Sequence, residues 1–271
     1  MNIYIASSLD CCISIDKNGD AYAIGTNTDG RLGLPNKQYD IYTLIPNISN
    51  IVQISCGSNH SIFLAADGRV YGCGSNKYGQ LGMIENKYSV PTHIYGIKNI
   101  VYIASREEHS FFLTVDGYVY ACGNNVYAQL GMYGNKISTP TLICKLTNIV
   151  HIACGPSHTL FLASDGKVYG CGDNHYKQLG LPNMQYNIPT LMSNINDVYI
   201  ISDGKIYICD STMKIHYRKD IVQIECGRYR NLFLTADGKV YNSYYIPIRN
   251  HIVSISTGHL LSSDGKYIYD R

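Results

Sequence analysis

The sequence predicts an all-β chain folded as a seven-bladed β-propeller, with four full blades followed by three shortened ones. Three observations lead there. Matching segments begin at Ile51-Val-Gln-Ile, Ile100-Val-Tyr-Ile and Ile149-Val-His-Ile, 49 residues apart, and Asn2-Ile-Tyr-Ile fits one step earlier. A glycine hairpin dipeptide recurs seven times, at Asn18-Gly19, Asp67-Gly68, Asp116-Gly117, Asp165-Gly166, Asp203-Gly204, Asp237-Gly238 and Asp264-Gly265. No segment carries apolar residues at helical spacing. A period of this length is that of a propeller blade or a solenoid unit.

Each full repeat reads the same way from its first residue. A short apolar strand, Ile51 to Ser55, leads into a turn with glycine and histidine, Gly57 to His60. The apolar run Ile62-Phe63-Leu64 follows, then Asp67-Gly68, then Val70-Tyr71-Gly72-Cys73-Gly74. Asp-Gly between two apolar runs predicts a hairpin, because a type I′ turn needs positive φ at both central residues. The strands are apolar on both faces, as expected where blades pack face to face. The full repeats occupy residues 1–50, 51–99, 100–148 and 149–197, and the shortened ones 198–220, 221–250 and 251–271, as a single domain over 1–271. The segment 198–220 keeps little more than the hairpin from Ile200 to Cys209. A ring of such units has to close, because open ends would expose apolar sheet faces and edges.

Hydrophobic residues make up 45% of the chain and charged residues 15%, which supports a packed core and excludes a disordered chain. The formal net charge of +2 argues against a protein that lives on phosphate contacts. The segment from Met1 to Cys12 has no basic start and no long apolar run, and nowhere do 18 apolar residues stand together. The expectation is an intracellular protein, cytoplasmic or nuclear, with no membrane partner. Ten cysteines without a CxxC pair predict reduced thiols, with no disulfide and no metal. Glutamate occurs only at Glu85, Glu107, Glu108 and Glu225, among abundant Asn, Ile and Tyr. This bias resembles proteins of large DNA viruses of amoebae and of some protists with AT-rich genomes, and a viral source would add the virion to the expected locations.

The motifs Cys56-Gly-Ser-Asn-His-Ser and Asp67-Gly-Arg-Val-Tyr-Gly-Cys-Gly-Ser-Asn-Lys-Tyr-Gly-Gln-Leu-Gly82 return as Asp116 to Gly131 and Asp165 to Gly180. They resemble the repeat of the regulator-of-chromosome-condensation family, densely over residues 1–197 and thinly afterwards. The resemblance implies the propeller fold. It also implies a choice of functions that fold alone does not make, among them nucleotide exchange on a small GTPase, chromatin binding and protein-interaction modules. The family's usual tryptophan before glycine stands here as Cys73, Cys122 and Cys171, and the chain has no tryptophan. No long insertion resembles the exchange factor's wedge, and no basic arm precedes the first repeat.

His60, His109 and His158 recur at the repeat period, and Cys56, Cys154 and Cys226 stand at equivalent positions of their repeats. Equivalent positions on different blades form a ring rather than one converging site, so these histidines are expected as buried imidazoles bonded to backbone groups. Neither a phosphate-binding glycine loop nor a nucleophile elbow is present, no catalytic residue is assigned, and no cofactor or small-molecule substrate is expected. The informative positions are those where a repeat breaks its own rule. Opposite Gly57-Ser-Asn-His60 stand Arg106-Glu107-Glu108-His109 and Gly227-Arg228-Tyr229-Arg230. Charges there are not required by packing, and Arg and Tyr are common interface anchors. Arg106, Glu107, Glu108, Arg228, Tyr229 and Arg230 are therefore the candidate partner-binding residues, against the alternative of drift on a solvated loop. Residues 1–204 hold 12 basic and 14 acidic residues, whereas residues 205–271 hold 10 and 6. Lys214, Arg218, Lys219 and Arg249 in that excess form a candidate patch for phosphate or an acidic partner. The sequence thus points to a non-enzymatic propeller that binds a protein through one face, with a GTPase regulator and a nucleic-acid binder as alternatives.

Overall fold

The computed structural model describes the chain up to residue 192, except residues 1–3, 9–10, 36, 166, 177–178 and 180 and the side chains of residues 4, 5, 7 and 8; beyond 192 it describes the backbone of the strands. Every described regular element is a β-strand. The first repeat holds β1 (Tyr4–Ser8), β2 (Cys11–Ile15), β3 (Ala21–Thr26) and β4 (Gln38–Leu44). The second holds β5 (Ile51–Cys56), β6 (His60–Ala65), β7 (Val70–Ser75) and β8 (Lys87–His93). The third holds β9 (Ile100–Arg106), β10 (His109–Thr114), β11 (Val119–Asn124) and β12 (Lys136–Leu142), and the fourth β13 (Ile149–Cys154), β14 (His158–Ala163), β15 (Val168–Asp173) and β16 (Gln185–Leu191). Each set is one antiparallel four-stranded sheet in chain order.

Three further sheets follow. β17 (Val198–Ser202), β18 (Lys205–Cys209) and β19 (Ile215–Lys219) form a three-stranded sheet. β20 (Ile221–Cys226), β21 (Asn231–Thr235), β22 (Val240–Asn242) and β23 (Pro247–Arg249) form a four-stranded one. β24 (Ile252–Ser256), β25 (His259–Ser262) and β26 (Tyr267–Tyr269) form the last, of three strands. The segment 198–220 therefore holds more than a hairpin, since β19 pairs with β18 residue for residue from Lys205↔Lys219 to Cys209↔Ile215. The segment 221–250 keeps four strands by shortening its last two to three residues each.

The second strand of a sheet shows why these sequences are apolar on both faces. All six residues of β6 are buried, as are all six of β10. In β6, Phe63 and Ala65 join a core with the first sheet, while Ile62 and Leu64 join a core with the third. In β10, Phe112 faces the second sheet, whereas Phe111 and Leu113 face the fourth, where Phe111 meets Phe161 edge-on at 5.7 Å. Successive strand residues point to opposite faces, so a neighbour on each side requires apolar residues at every position.

Consecutive repeats are also joined at the hairpin end. The Ile51 amide donates to the Gly19 carbonyl at 2.9 Å and that of Ile149 to Gly117 at 3.0 Å. The residue before each joint, Asn50, Asn99 or Asn148, has a positive φ of 54–56°. Asn tolerates this left-handed conformation better than other residues with a β-carbon.

Candidate functional site

The opposite end of the sheets carries the long connections between third and fourth strands, and one asparagine shapes each of them. Asn27, Asn76, Asn125 and Asn174 are all buried. The Asn125 amide nitrogen donates to the carbonyls of Met132 and Gly134 at 2.7 and 2.6 Å, while its oxygen accepts from the Leu130 amide at 2.8 Å. Asn76 repeats this with Met83, Glu85 and Leu81. Asn174 does so with Leu181, Asn183 and Leu179. A side-chain amide offers both donors and an acceptor, so a single residue closes a loop that has no ladder of its own.

The same loops latch each sheet to the next. A bulge between Gly72 and Gly74 leaves Cys73 out of the ladder with β8, and its Sγ donates instead to the Arg31 carbonyl of the first sheet at 3.3 Å. Cys122 and Cys171 do the same to Gln80 and Gln129, at 3.4 and 3.3 Å. The Gln80 carbonyl also accepts from Ser110 at 2.6 Å, and the Gln129 carbonyl from Thr159 at 2.8 Å. Burial holds the three thiols well above the ordinary range, so they are neutral donors. Among the described residues no cysteine is in a disulfide and no group of His, Cys, Asp and Glu is arranged to hold a metal ion.

The turn between first and second strands lies at this end too, because the Asn124 amide bonds the Glu108 carbonyl at 2.9 Å. In the second repeat the His60 ring lies directly on Gly57. A β-carbon there would be 2.1 Å from the ring Cε1. The His60 Nε2 reaches the Ser110 hydroxyl of the next sheet at 2.9 Å. Ser110 gives its only proton to Gln80, so the His60 Nε2 carries the proton in this contact. The histidine partner is thus a hydroxyl of the neighbouring sheet, not the backbone group expected from sequence. Burial lowers the pKa of both His60 and His109 to about 3.

Arg106 changes this arrangement. β9 runs one residue further than β5 or β13, and its turn shrinks to Glu107-Glu108, with Glu107 at φ 42°. The Arg106 β-carbon occupies the position on which His60 and His158 rest in their repeats, where a β-carbon on Gly155 would be 2.2 Å from the His158 Cε1. His109 accordingly takes another position. It is fully buried, edge-on to Phe111, and neither of its ring nitrogens has a hydrogen-bond partner. The Arg106 charge adds, behind burial as the larger cause, to the lowering of the pKa of both His109 and His158. The two glutamates serve the framework, contrary to the sequence-based expectation that packing does not need these charges. The Glu107 carboxylate accepts from the Ser58 hydroxyl of the second sheet at 2.6 Å, and its carbonyl from the Ser58 amide at 2.8 Å. The Glu108 carboxylate accepts from the Asn124 side chain at 3.1 Å. Arg31 extends the chain of contacts by donating to the Ser58 carbonyl at 2.7 Å.

Around this base the loop tips present apolar side chains to solvent. Ile84 is 95% exposed, Tyr176 81%, Tyr133 75% and Met184 63%. Val126 and Tyr127 are about half exposed beside them. Sequence reasoning missed these residues and Arg31. Ile84 and Tyr133 fall in the same slot of successive repeats, as do Tyr127 and Tyr176, and an apolar residue in a tightly bonded loop was the available signal.

The other sequence-derived candidates are placed less fully. Arg228, Tyr229, Arg230 and Lys214 lie outside the described residues. Arg218 and Lys219 stand at the end of β19 and Arg249 at the end of β23, with their side chains outside the description. Among the described residues no helix is long and apolar enough to cross a membrane.

Comparison with known proteins agrees with this architecture. The sequence matches the RCC1-like domain over residues 2–243. No curated protein sequence matches the chain. Among solved structures, human WBSCR16 superposes with a TM-score of 0.74 at 21% identity, over 89% of this chain and 77% of that one. Prp20p from Saccharomyces cerevisiae, described with its binding to Gsp1p and histones, gives 0.67 at 24% identity, over 88% of this chain and 57% of that one. The CRINKLY WD40 ectodomain of the Arabidopsis thaliana receptor kinase ACR4 gives 0.51 at 12% identity, over 92% and 85%.

Proposed function

Since the chain belongs to the RCC1-like domain family, we propose that it is a non-enzymatic protein-interaction propeller, whose seven sheets close into one ring and whose long-loop end receives a protein partner. The observation that carries this reading is the set of exposed tips Ile84, Tyr133, Tyr176 and Met184 on loops fixed by buried asparagines. Large apolar side chains held on a rigid base lose little freedom on binding and supply the contact area from which protein interfaces draw their energy.

The test is affinity capture from the native source, with and without nuclease, using the wild-type chain and a Tyr133→Ser, Tyr176→Ser double variant. A nuclease-resistant partner lost in the variant supports the reading. Capture that ignores the variant removes this end as the docking surface. Two further readings have their own measurements. Likeness to Prp20p, a protein described with binding to Gsp1p, raises regulation of a small GTPase. Accelerated nucleotide release from a candidate GTPase would support that reading. The basic excess in residues 205–271 raises nucleic acid, in which case capture vanishes with nuclease and falls steeply with salt.

A further inference from the structure

We infer that the propeller has an opening line on the face of the first sheet that turns away from the second, where it meets the last sheet (β24–β26) without latches; this rests on the reading of the seven sheets as one closed ring. The starting point is how a sheet takes hold of the one before it. The second, third and fourth sheets each press a fully buried phenylalanine, Phe63, Phe112 or Phe161, against the preceding sheet. Beside them Cys73, Cys122 and Cys171 donate to the preceding loop, and Pro91, Pro140 and Pro189 rest on its glycine. Ser110 and Thr159 add a hydroxyl bond to the same loops.

The first sheet carries none of these groups at the equivalent positions, 49 residues earlier in the chain. Ser14 stands in the place of Phe63, and Cys12 in that of Ser61. Ile24 replaces Cys73, and Tyr42 replaces Pro91. Ile13 and Ile15 join the core shared with the second sheet, so by alternation along β2 the side chains of Cys12 and Ser14 point to the other face. Cys12, Ser14 and Ile24 are half-buried and Tyr42 is 49% exposed, whereas Ser61, Phe63 and Cys73 are fully buried. The Tyr42 hydroxyl donates to the Cys12 Sγ at 3.6 Å, within its own sheet. Serine in place of phenylalanine buries far less apolar surface, and isoleucine in place of cysteine has no proton to give. On its other side the first sheet is latched, because its own loop holds Cys73 and Pro91. Local openings of a fold run along its weakest contacts. The first sheet therefore parts from the last sheet more readily than any of the three latched joints parts.

The experiment is native-state hydrogen exchange of the full chain in rising, sub-denaturing urea, read by mass spectrometry, for the wild type and a Cys73→Ala, Pro91→Ala variant. In the wild type the amides of β2 and β3 are expected to exchange about tenfold or more faster than those of β6 and β7. Those of β2 and β25 should share one urea dependence, because a single opening exposes both. Removing two latches from the second sheet should bring β6 and β7 toward the rate of β2, with β14 and β15 changing less. Protection of β2 and β3 equal to that of β6 and β7 overturns the inference and leaves the ring standing. A variant in which β6 and β7 exchange as in the wild type does the same, and the wild-type comparison decides alone if the variant does not fold. Fast exchange in β2 and β25 with different urea dependences would mean that the two sheets do not meet, which removes the ring reading and this joint with it.

Discussion

Gly82 lies so close to Pro140 of the following sheet that a β-carbon on it would be 2.5 Å from the proline Cδ. Gly33 meets Pro91 and Gly131 meets Pro189 in the same way. The glycine about midway along each of these three loops is thus the seat for the outer strand of the next sheet.

Gly82 also has φ +66°, so Gly82→Ala suffers twice, from the left-handed backbone and from the proline. The expected loss is about 2–4 kcal/mol, read from chemical denaturation. A change within about 0.5 kcal/mol would mean that the seat yields easily.

Asn125→Ala leaves the Met132 and Gly134 carbonyls and the Leu130 amide without their partner. A loss of about 3 kcal/mol is expected, since each buried group forfeits about 1 kcal/mol or more. Asn125→Asp keeps the acceptor for Leu130 but sets a carboxylate against two carbonyls, so it should be no better than alanine. Equal stability of Asn125→Asp and wild type would contradict the hydrogen-bond assignment.

Acid should destabilise the fold through its histidines. Burial lowers His60 and His109 from 6.5 to about 3, and lowers His158 to about 4. The unfolded chain therefore takes up protons first as pH falls. The stabilisation is complete above about pH 6.5 and declines from there towards pH 3, by about 1 kcal/mol per pH unit for each imidazole. The melting temperature should fall accordingly from pH 7 to pH 4, and His60→Gln should flatten part of that dependence. A pH-independent melting temperature over that range would show that these rings are not held neutral.

The thiols should separate by position. Cys144 is exposed, whereas Cys73, Cys122 and Cys171 are fully buried donors. Alkylation of the native protein followed by peptide mapping should modify Cys144 first and reach the other three only after unfolding. Early modification of Cys122 would mean that the junction between the second and third sheets opens readily.

Much of the fold was legible because its determinants are local and repeated. Asp67-Gly68 states a hairpin outright, and the continuous apolar run of β6 states that both faces have neighbours. The extra strand β19 was not legible: Ile215-His-Tyr-Arg-Lys alternates too little and is too charged to stand out from a loop. The role of the third-repeat turn was half legible. Arg106 could be found as a departure from glycine, but that it evicts the His109 ring depends on how closely the His60 ring lies on Gly57 in the sister repeat, where a β-carbon would be 2.1 Å from it. Glu107 and Glu108 looked dispensable because their partners, Ser58 and Asn124, are distant in sequence or on another strand.

The latches all point the same way: the loop of one sheet holds the cysteine, the hydroxyl and the proline of the sheet that follows it in the chain. On a ribosome, then, none of the first three repeats can finish folding when its own residues have emerged. The first loop waits for Cys73 and Pro91, the second for Cys122 and Pro140, the third for Cys171 and Pro189. Folding of the nascent chain should trail synthesis by nearly one repeat, and arrest-peptide force profiles of stalled chains would show that lag directly.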